Sequence, residues 1–443
     1  MGGVMANCEI IATGTELLLG YVVNTHPNYI APRLGSLGIR VTRIVTVGDD
    51  RRAMADAVSQ ALQRADLVIV TGGLGPTSDD VTRDVVAELL GRKLREDKKV
   101  LAKIKARFRA RKARMPKAVT VQAQVPEGAL VLPNDHGTAP GLALDAEVEP
   151  QDEPLILRET RAVKYGVLQR LIVLLPGPPR ELKPMFDNYV MPLLRARGYA
   201  TPAACRVFRT VGVGESWVAE MVEPLVKGRL DVELGYCARP NEVDVRLITR
   251  GSGAVALADE LETRIRKRLG DIIFGGESDR LEDVVVRDLI RRKLTLATAE
   301  SCTGGLLASR ITNVSGSSGV FMEGIVCYSN EAKMRDVGVK AKTLKAHGAV
   351  SRQVARELAE GIQQRAGTDF GVGITGIAGP TGGTPKKPVG LVFIALAGPR
   401  GTEVRRAIYH YDREAFKFVV TQTALDMLRR ALRVSQASRL TNH

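Results

Sequence analysis

Short apolar runs rich in β-branched residues alternate with helical periodicity from residue 8 to about 90. The order is CEIIA, a helical stretch from Asn24 to Leu37, VTRIVTVG, a helix from Arg51 to Arg64, ADLVIVTGG, and a helical run from about Asp79 to Leu90. Strands alternating with helices predict a parallel sheet covered on both faces. In such sheets ligands bind beyond the carboxyl ends of the strands, so chemistry is expected in the loops GTELLLG, TVGDD and TGGLGPTSDD.

The rhythm then changes. LVLPNDHGTAPGLALD reads as two strands about a turn, and RLIVLLPGPPRELKPMF as a buried strand leading into a proline-started helix. Between them, EVEPQDEPLILRETRAVKYGV reads as an irregular or hairpin insertion. A compact stretch from CRVFRTVGVGE to about Phe274 combines helices over 216–226 and 254–269 with the strands LGYCARP and EVDVRLITRG. The remainder is again α/β. LATAESCTGG, FMEGIVCYSNEAK, DFGVGITGIAGPTGG and VGLVFIALAG are strands or strand exits, with helices at about 304–312, 331–337, 351–366 and 413–434. The expected fold is α/β in three units, 1–198, 199–276 and 277–443, the middle one a small α+β connector.

Composition narrows the class. Of 443 residues, 44% are hydrophobic and 26% charged, and no stretch approaches eighteen consecutive apolar residues, which excludes a disordered chain and a membrane span. The five cysteines lie far apart with no C-x-x-C pair, and none of the five histidines is spaced to share a metal. Zinc hydrolase chemistry of the H-E-x-x-H kind is excluded. The opening MGGVMANCEIIATG lacks a basic region followed by an apolar one, so the cytoplasm is the expected compartment.

The net charge of +15 calls for a polyanionic partner until it is located. Residues 92–117 hold 13 Lys and Arg against two acids, so the excess is local. Val100, Leu101, Ile104 and Phe108 give that segment one apolar helical stripe. Its cations read as a solvated helix face, as a basic wall attracting a phosphorylated small molecule, or as a nucleic-acid contact. With 4% aromatics there is no stacking platform for single strands.

Several motifs carry chemistry. TGGLGPTSDD is a glycine-rich strand exit followed by adjacent acids. With Glu16, Asp49 and Asp50 at neighbouring strand ends, Asp79 and Asp80 either cap helices or hold Mg²⁺ or a similar cation against a pyrophosphate. No G-K-[ST] follows Gly73 and Gly75, and a third fingerprint glycine is missing, so neither a Walker loop nor a dinucleotide site is expected. The loop's T-G-x-x-G-P-T pattern recurs at 375–381, but the flanking sequences do not match and no duplication is inferred. AESCTGG (299–305) suits an anion at a helix start. Ser317, Ser318, Tyr328, Lys333 and Thr375 supply hydroxyls, a phenol and an amine in the same domain, the groups of a Ser-Lys hydrolase. Cys302 reads as a small buried residue, and His347 as part of a turn.

In order, GTELLLG, TVGDD, TGGLGPTSDD, PNDHGTAPG, LPGPPREL, AESCTGG, GSSGVF, CYSNEAK, HGAVS and TGIAGPTGGTPKKPVG closely resemble the CinA (competence/damage-inducible protein A) family over almost the whole chain. The resemblance implies a MoaB/Mog-like molybdopterin-binding fold, a small middle domain, and a C-terminal domain that deamidates nicotinamide mononucleotide (NMN) without a cofactor. It also implies a metal-dependent ADP-ribose pyrophosphatase in the first domain, and a homodimer; neither nucleic acid nor membrane is an expected partner. Carried over, Ser318 is the nucleophile and Lys333 its base, Tyr328 and Thr375 serve the amide or its oxyanion, Ser301, Thr303 and Gly304 meet the nucleotide phosphate, and Gly376 and Arg413 lie at the substrate. In the first domain the resemblance puts Asp49, Asp79 and Asp80 at a divalent metal, with Gly73, Gly75, Asn134, Gly137 and Thr138 around the ligand. Val119 and Val121 replace residues that are polar in many relatives, and the insertion at about 148–168 is long for the family.

Overall fold

The computed structural model describes residues 6–149 and 168–440, with side chains described to residue 433. Nearly all of the insertion therefore lies outside the described residues. The chain forms two compact units, one of residues up to 205 with 249–257, the other of 206–248 with 258 onward.

The first unit is built on a six-stranded sheet. Its strands are β1 (Asn7–Thr13), β2 (Arg40–Val47), β3 (Leu67–Thr71), β6 (Leu130–Leu132), β7 (Gly141–Val148) and β8 (Leu168–Leu175); β4 (Leu94–Glu96) and β5 (Gln124–Pro126) form a separate ribbon. The order is β2-β1-β3-β8-β7-β6. The first four run parallel, as the alternation predicts, and β7 and β6 add antiparallel. Alternate residues sort to the two faces. Ile11, Val68, Val70, Ile172 and Leu174 pack with the Arg51–Arg64 and Thr82–Leu89 helices, while Ile10, Leu67, Ile69, Val173 and Leu175 pack with the His26–Ser36 helix and Phe186.

The basic segment is a helix from Lys98 to Ala110, N-capped by Asp97, whose carboxylate accepts from Lys99 and Val100 N–H. Val100 and Ile104 are buried, with Leu101 and Phe108 partly so, as the apolar stripe requires.

In the second unit β9 (Ala203–Val211), β10 (Val232–Arg239), β11 (Glu242–Arg250) and β12 (Ile273–Gly275) form a sheet in the order β10-β11-β9-β12. A further sheet comprises β13 (Leu296–Glu300), β14 (Phe321–Val326), β15 (Phe370–Gly376), β16 (Leu391–Gly398) and β17 (Gly401–Ile408), ordered β14-β13-β15-β16-β17. Here β14, β13 and β15 are parallel and β16 and β17 antiparallel. A buried polar network ties the two sheets' layers together: Arg209 pairs with Glu242, which accepts from Gln422, and Arg310 donates to Gln422 and to Glu282 at 2.7 Å.

One face of the second sheet packs on the Leu281–Arg292 and Arg413–Leu440 helices, the other on Arg352–Ala366. That last contact explains Gly371 and Gly373 of DFGVGITG. A β-carbon on Gly373 would press into backbone atoms of Ala355 and Ala359, so glycine lets helix and sheet approach closely. No helix among the described residues is long and apolar enough to cross a membrane.

Candidate active site and nucleotide cleft

In the first unit, the loops after β1, β2, β3 and β8 enclose a cleft of about 430 Å³ at the carboxyl edge of the sheet. It is lined by Gly72 to Pro76, Asp49, Asp79, Asp80 and Thr138, as the motifs predict, and also by Thr13, Gln122 and Glu181. Asp80 holds the glycine-rich loop in shape. One of its oxygens accepts from Gly75 N–H at 2.8 Å, the other from Thr77 N–H at 2.9 Å and from the Thr77 hydroxyl. Asp49 accepts from both the amide and the hydroxyl of Thr15. Asp50 caps the Arg51–Arg64 helix through Ala53 N–H.

The predicted metal ligands therefore share a cleft without forming a ligand set. Among the described residues no group of three or more His, Cys, Asp or Glu side chains is placed to hold a metal ion. Asn134 and Gly137 also turn out to build the loop. Asn134 donates to Ala139 O and Glu181 and accepts from the amides of His136 and Gly137, while a side chain on Gly137 would overlap Glu181. What the cleft leaves unpartnered are the buried Thr13 hydroxyl and the Gln122 side-chain oxygen. The basic helix stands outside it. Lys103 pairs with Asp135 at 3.0 Å and Arg107 donates to Asp135 O, and this helix lines a separate cavity of about 470 Å³ behind the 134–138 loop.

In the second unit, parallel register decides which motifs meet. Leu296 pairs with Phe321 and Glu300 with Val326, so the exits of β13 and β14 lie side by side at one sheet edge. Ser301 leaves β13 there, its amide donating to Ile374 O of β15. Lys333 comes from the first turn of the Asn330–Val337 helix, which Ser329 caps through Ala332 N–H. Its side chain folds back to the same edge and is 1% exposed. Lys333 Nζ lies 3.1 Å from Ser301 Oγ, 2.9 Å from Cys327 O and 3.0 Å from Tyr328 O. Burial lowers the pKa of this amine.

Ser318 is elsewhere. It sits exposed in the short turn Ser317–Gly319 that precedes β14, at the opposite edge of the sheet. A six-residue strand, roughly 20 Å, separates that edge from Lys333. Within one chain, then, the serine in contact with Lys333 is Ser301 and not Ser318.

The other residues divide. The Tyr328 hydroxyl accepts from Arg413 at 3.2 Å, and Arg413 also donates to Gly379 O at 2.8 Å. Thr375, buried at the end of β15, gives its hydroxyl proton to Ala349 O, and a side chain on Gly376 would strike Leu391 O, so both serve the scaffold. Thr303 is fully buried, its hydroxyl without a partner. The helix start offers no anion site: both oxygens of Glu300 accept from the Leu307 and Ala308 amides. Burial pushes the Cys302 thiol up to about 12, in keeping with a packing role.

Comparison with known proteins adds the lineage. Residues 9–196 match a profile described as a probable molybdopterin binding domain, 205–275 the damage-inducible protein CinA KH domain, and 278–432 the CinA C-terminal domain. A CinA-like protein of Kosmotoga olearia is 42% identical over 427 residues, covering 96% of this chain and 98% of the relative. The chain belongs to the CinA family. A competence-damage inducible relative from Symbiobacterium thermophilum is 44% identical over 438 residues, with the same coverage. Among solved structures, competence/damage inducible protein CihA of Agrobacterium tumefaciens is 42% identical, covering 34% of this CinA chain and 93% of its own, with a TM-score of 0.34.

Two features of this CinA chain were legible in the sequence. Ser301 directly follows a predicted strand, whereas Ser318 directly precedes one, and in parallel strands those positions fall at opposite edges. Glu300 was readable as the acid that caps the following helix start.

Proposed function

We propose that the C-terminal part of this CinA protein is an amidohydrolase that converts NMN to nicotinate mononucleotide and ammonia, with Ser301 as nucleophile and Lys333 as base. The observation that carries the reading is the surroundings of Lys333 Nζ: the Ser301 hydroxyl at 3.1 Å and the backbone carbonyls of Cys327, Tyr328 and Ser329 at 2.9, 3.0 and 3.5 Å. A neutral amine has two N–H donors and one lone pair. Donation to Cys327 O and Tyr328 O aims the lone pair at the Ser301 hydroxyl proton, and burial favours the neutral form.

In the reaction Ser301 Oγ attacks the carboxamide carbon as its proton passes to Lys333. The tetrahedral oxyanion meets the Tyr328 phenol, whose oxygen already accepts from Arg413 and whose proton is left to donate. Collapse breaks the C–N bond, Lys333 returns the proton to nitrogen, and ammonia leaves. Water, giving a proton to Lys333, then attacks the Ser301 ester; the C–Oγ bond breaks, Lys333 passes that proton to Ser301 Oγ, and the carboxylate leaves. Each step uses groups of this chain alone. Ammonia release from NMN by the purified protein, persisting in excess EDTA, is the expected result; no release overturns the reading.

For the first unit the cleft supports binding of a small phosphorylated ligand, because Thr13 and Gln122 present buried, unpartnered polar atoms beside the glycine-rich loop. Asp49, Asp79 and Asp80 line the same cleft, although among the described residues no three such side chains are grouped around one metal position.

A further inference from the structure

The cations of residues 92–117 take no part in the glycine-rich cleft or in the Ser301–Lys333 site. Twelve of the segment's thirteen Lys and Arg side chains are exposed. Among the described residues only Arg95 and Lys103 of these twelve have a carboxylate within ion-pair distance, Glu127 and Asp135. Of the segment's own two acids, Asp97 is engaged in capping the helix.

Helical geometry sorts these groups. The Lys98–Ala110 helix turns Val100, Leu101, Ile104 and Phe108 onto its packed side. Its outward side carries Ala102, Ala106 and Ala110 at intervals of four, all exposed. Lys98, Lys105 and Arg109 flank this row on one side, Lys99 and Lys103 on the other. Several cations stand where local structure disfavours them. Lys98 and Lys99 occupy the first turn, against the helix dipole, and Lys105 and Arg109 are like charges four residues apart. Lys112, at φ +52°, holds the left-handed position after the helix that glycine usually takes. Each departure is toward positive charge, which marks a functional surface rather than a merely solvated one.

The pattern selects among polyanions. An anionic membrane takes up a basic helix by its large apolar side chains, and here those face the core. Single strands need aromatic platforms, and Phe108, the segment's one aromatic residue, is packed inward. Duplex DNA carries one charge per about 1.7 Å of axis, so the roughly 20 Å of this helix runs alongside about 12 phosphates, enough to engage the exposed cations. The major groove of DNA, about 12 Å wide, admits a helix with small side chains toward its floor and cations toward both walls, whereas that of duplex RNA is too narrow.

We propose that the Lys98–Ala110 helix and the cations that follow it, Arg111, Lys112 and Arg114, dock on double-stranded DNA through its phosphates, without reading sequence. The family resemblance implies no such partner, and the inference uses no residue of the Ser301–Lys333 site.

The test is fluorescence anisotropy of two labelled duplexes of about 24 bp and unrelated sequence, titrated with the full chain. Both should bind alike, and log K should fall with log salt at a slope of about −4 to −8. Lys98→Gln/Lys105→Gln/Arg109→Gln should bind about tenfold or more weakly, with the slope reduced in magnitude by about 3. Removing three exposed cations elsewhere, by Lys267→Gln/Arg268→Gln/Lys342→Gln, should leave affinity within about twofold of wild type, with denaturation curves confirming that both variants fold. No binding at about 50 mM salt, or equal losses in the two variants, overturns the proposal. So does displacement of the duplex more readily by the matching single strand, by an RNA duplex or by phosphatidylserine vesicles than by unlabelled duplex DNA.

Discussion

Lys333 Nζ stands 3.1 Å from Ser301 Oγ because the parallel register of β13 and β14 brings the exits of both strands to one edge. The helix after β14 then returns the amine to that edge, where it is shut from water. Its chemistry follows from the absence of solvent and from the two carbonyls that orient it.

The pH profile follows from the direction of the Lys333 shift. Burial lowers its pKa from 10.5, so the reactive neutral amine is populated at lower pH than in an exposed lysine. The kcat/KM for NMN should climb with pH through the lowered value and then level off. Lys333→Arg, which stays protonated, should lose about 100-fold or more at every pH. The same shift feeds stability. The folded state binds fewer protons than the unfolded one between the lowered value and 10.5, so this group's contribution to stability should rise with pH across that window. A descending kcat/KM limb in place of the ascending one contradicts the assignment.

Glu300 caps the Leu306–Thr312 helix with both oxygens. Glu300→Ala should destabilise the protein by about 1–3 kcal/mol and Glu300→Gln by less, since an acceptor remains. Chemical denaturation of the two variants measures this, and equal stability of Glu300→Ala and wild type would refute the capping role.

Thiol chemistry should separate packing cysteines from surface ones. Burial pushes Cys302 up to about 12, Cys327 up to about 11 and Cys8 well above its usual value, whereas Cys205 and Cys237 are exposed. Native protein at neutral pH should therefore show two fast-reacting thiols of its five. Full modification of those two should leave ammonia release from NMN intact.

Asp80 shapes the glycine-rich loop through Gly75 and Thr77. Asp80→Ala should weaken ADP-ribose binding by roughly tenfold or more in calorimetry, while EDTA should leave wild-type binding unchanged. A strict requirement for added metal would show that a ligand set assembles around the bound nucleotide.

The strands and helices were legible because their signals are local. CEIIA, ADLVIVTGG and the Arg51–Arg64 periodicity needed no tertiary information, and the stripe of Val100 and Ile104 predicted the buried face of the basic helix. The parallel cores were likewise readable, as was the β6–β7 pair about its turn, though the antiparallel addition of β17 depends on a turn that periodicity does not report.

Site residues were harder, because motifs state which groups exist and topology states which of them meet. Ser318 and Lys333 are closer in sequence than Ser301 and Lys333, yet β14 runs between them. Asn134 and Asp80 build the loops they stand in, a role that sequence cannot separate from ligand contact because both use the same polar types.

The most direct measurement compares ammonia release from NMN by wild type, Ser301→Ala and Ser318→Ala, each confirmed folded by its denaturation curve. Loss of about 1,000-fold or more in Ser301→Ala, with Ser318→Ala close to wild type, is the predicted result. Full activity in Ser301→Ala, or inactivation by Ser318→Ala alone, would contradict the assignment of Ser301 and Lys333 as the reacting pair.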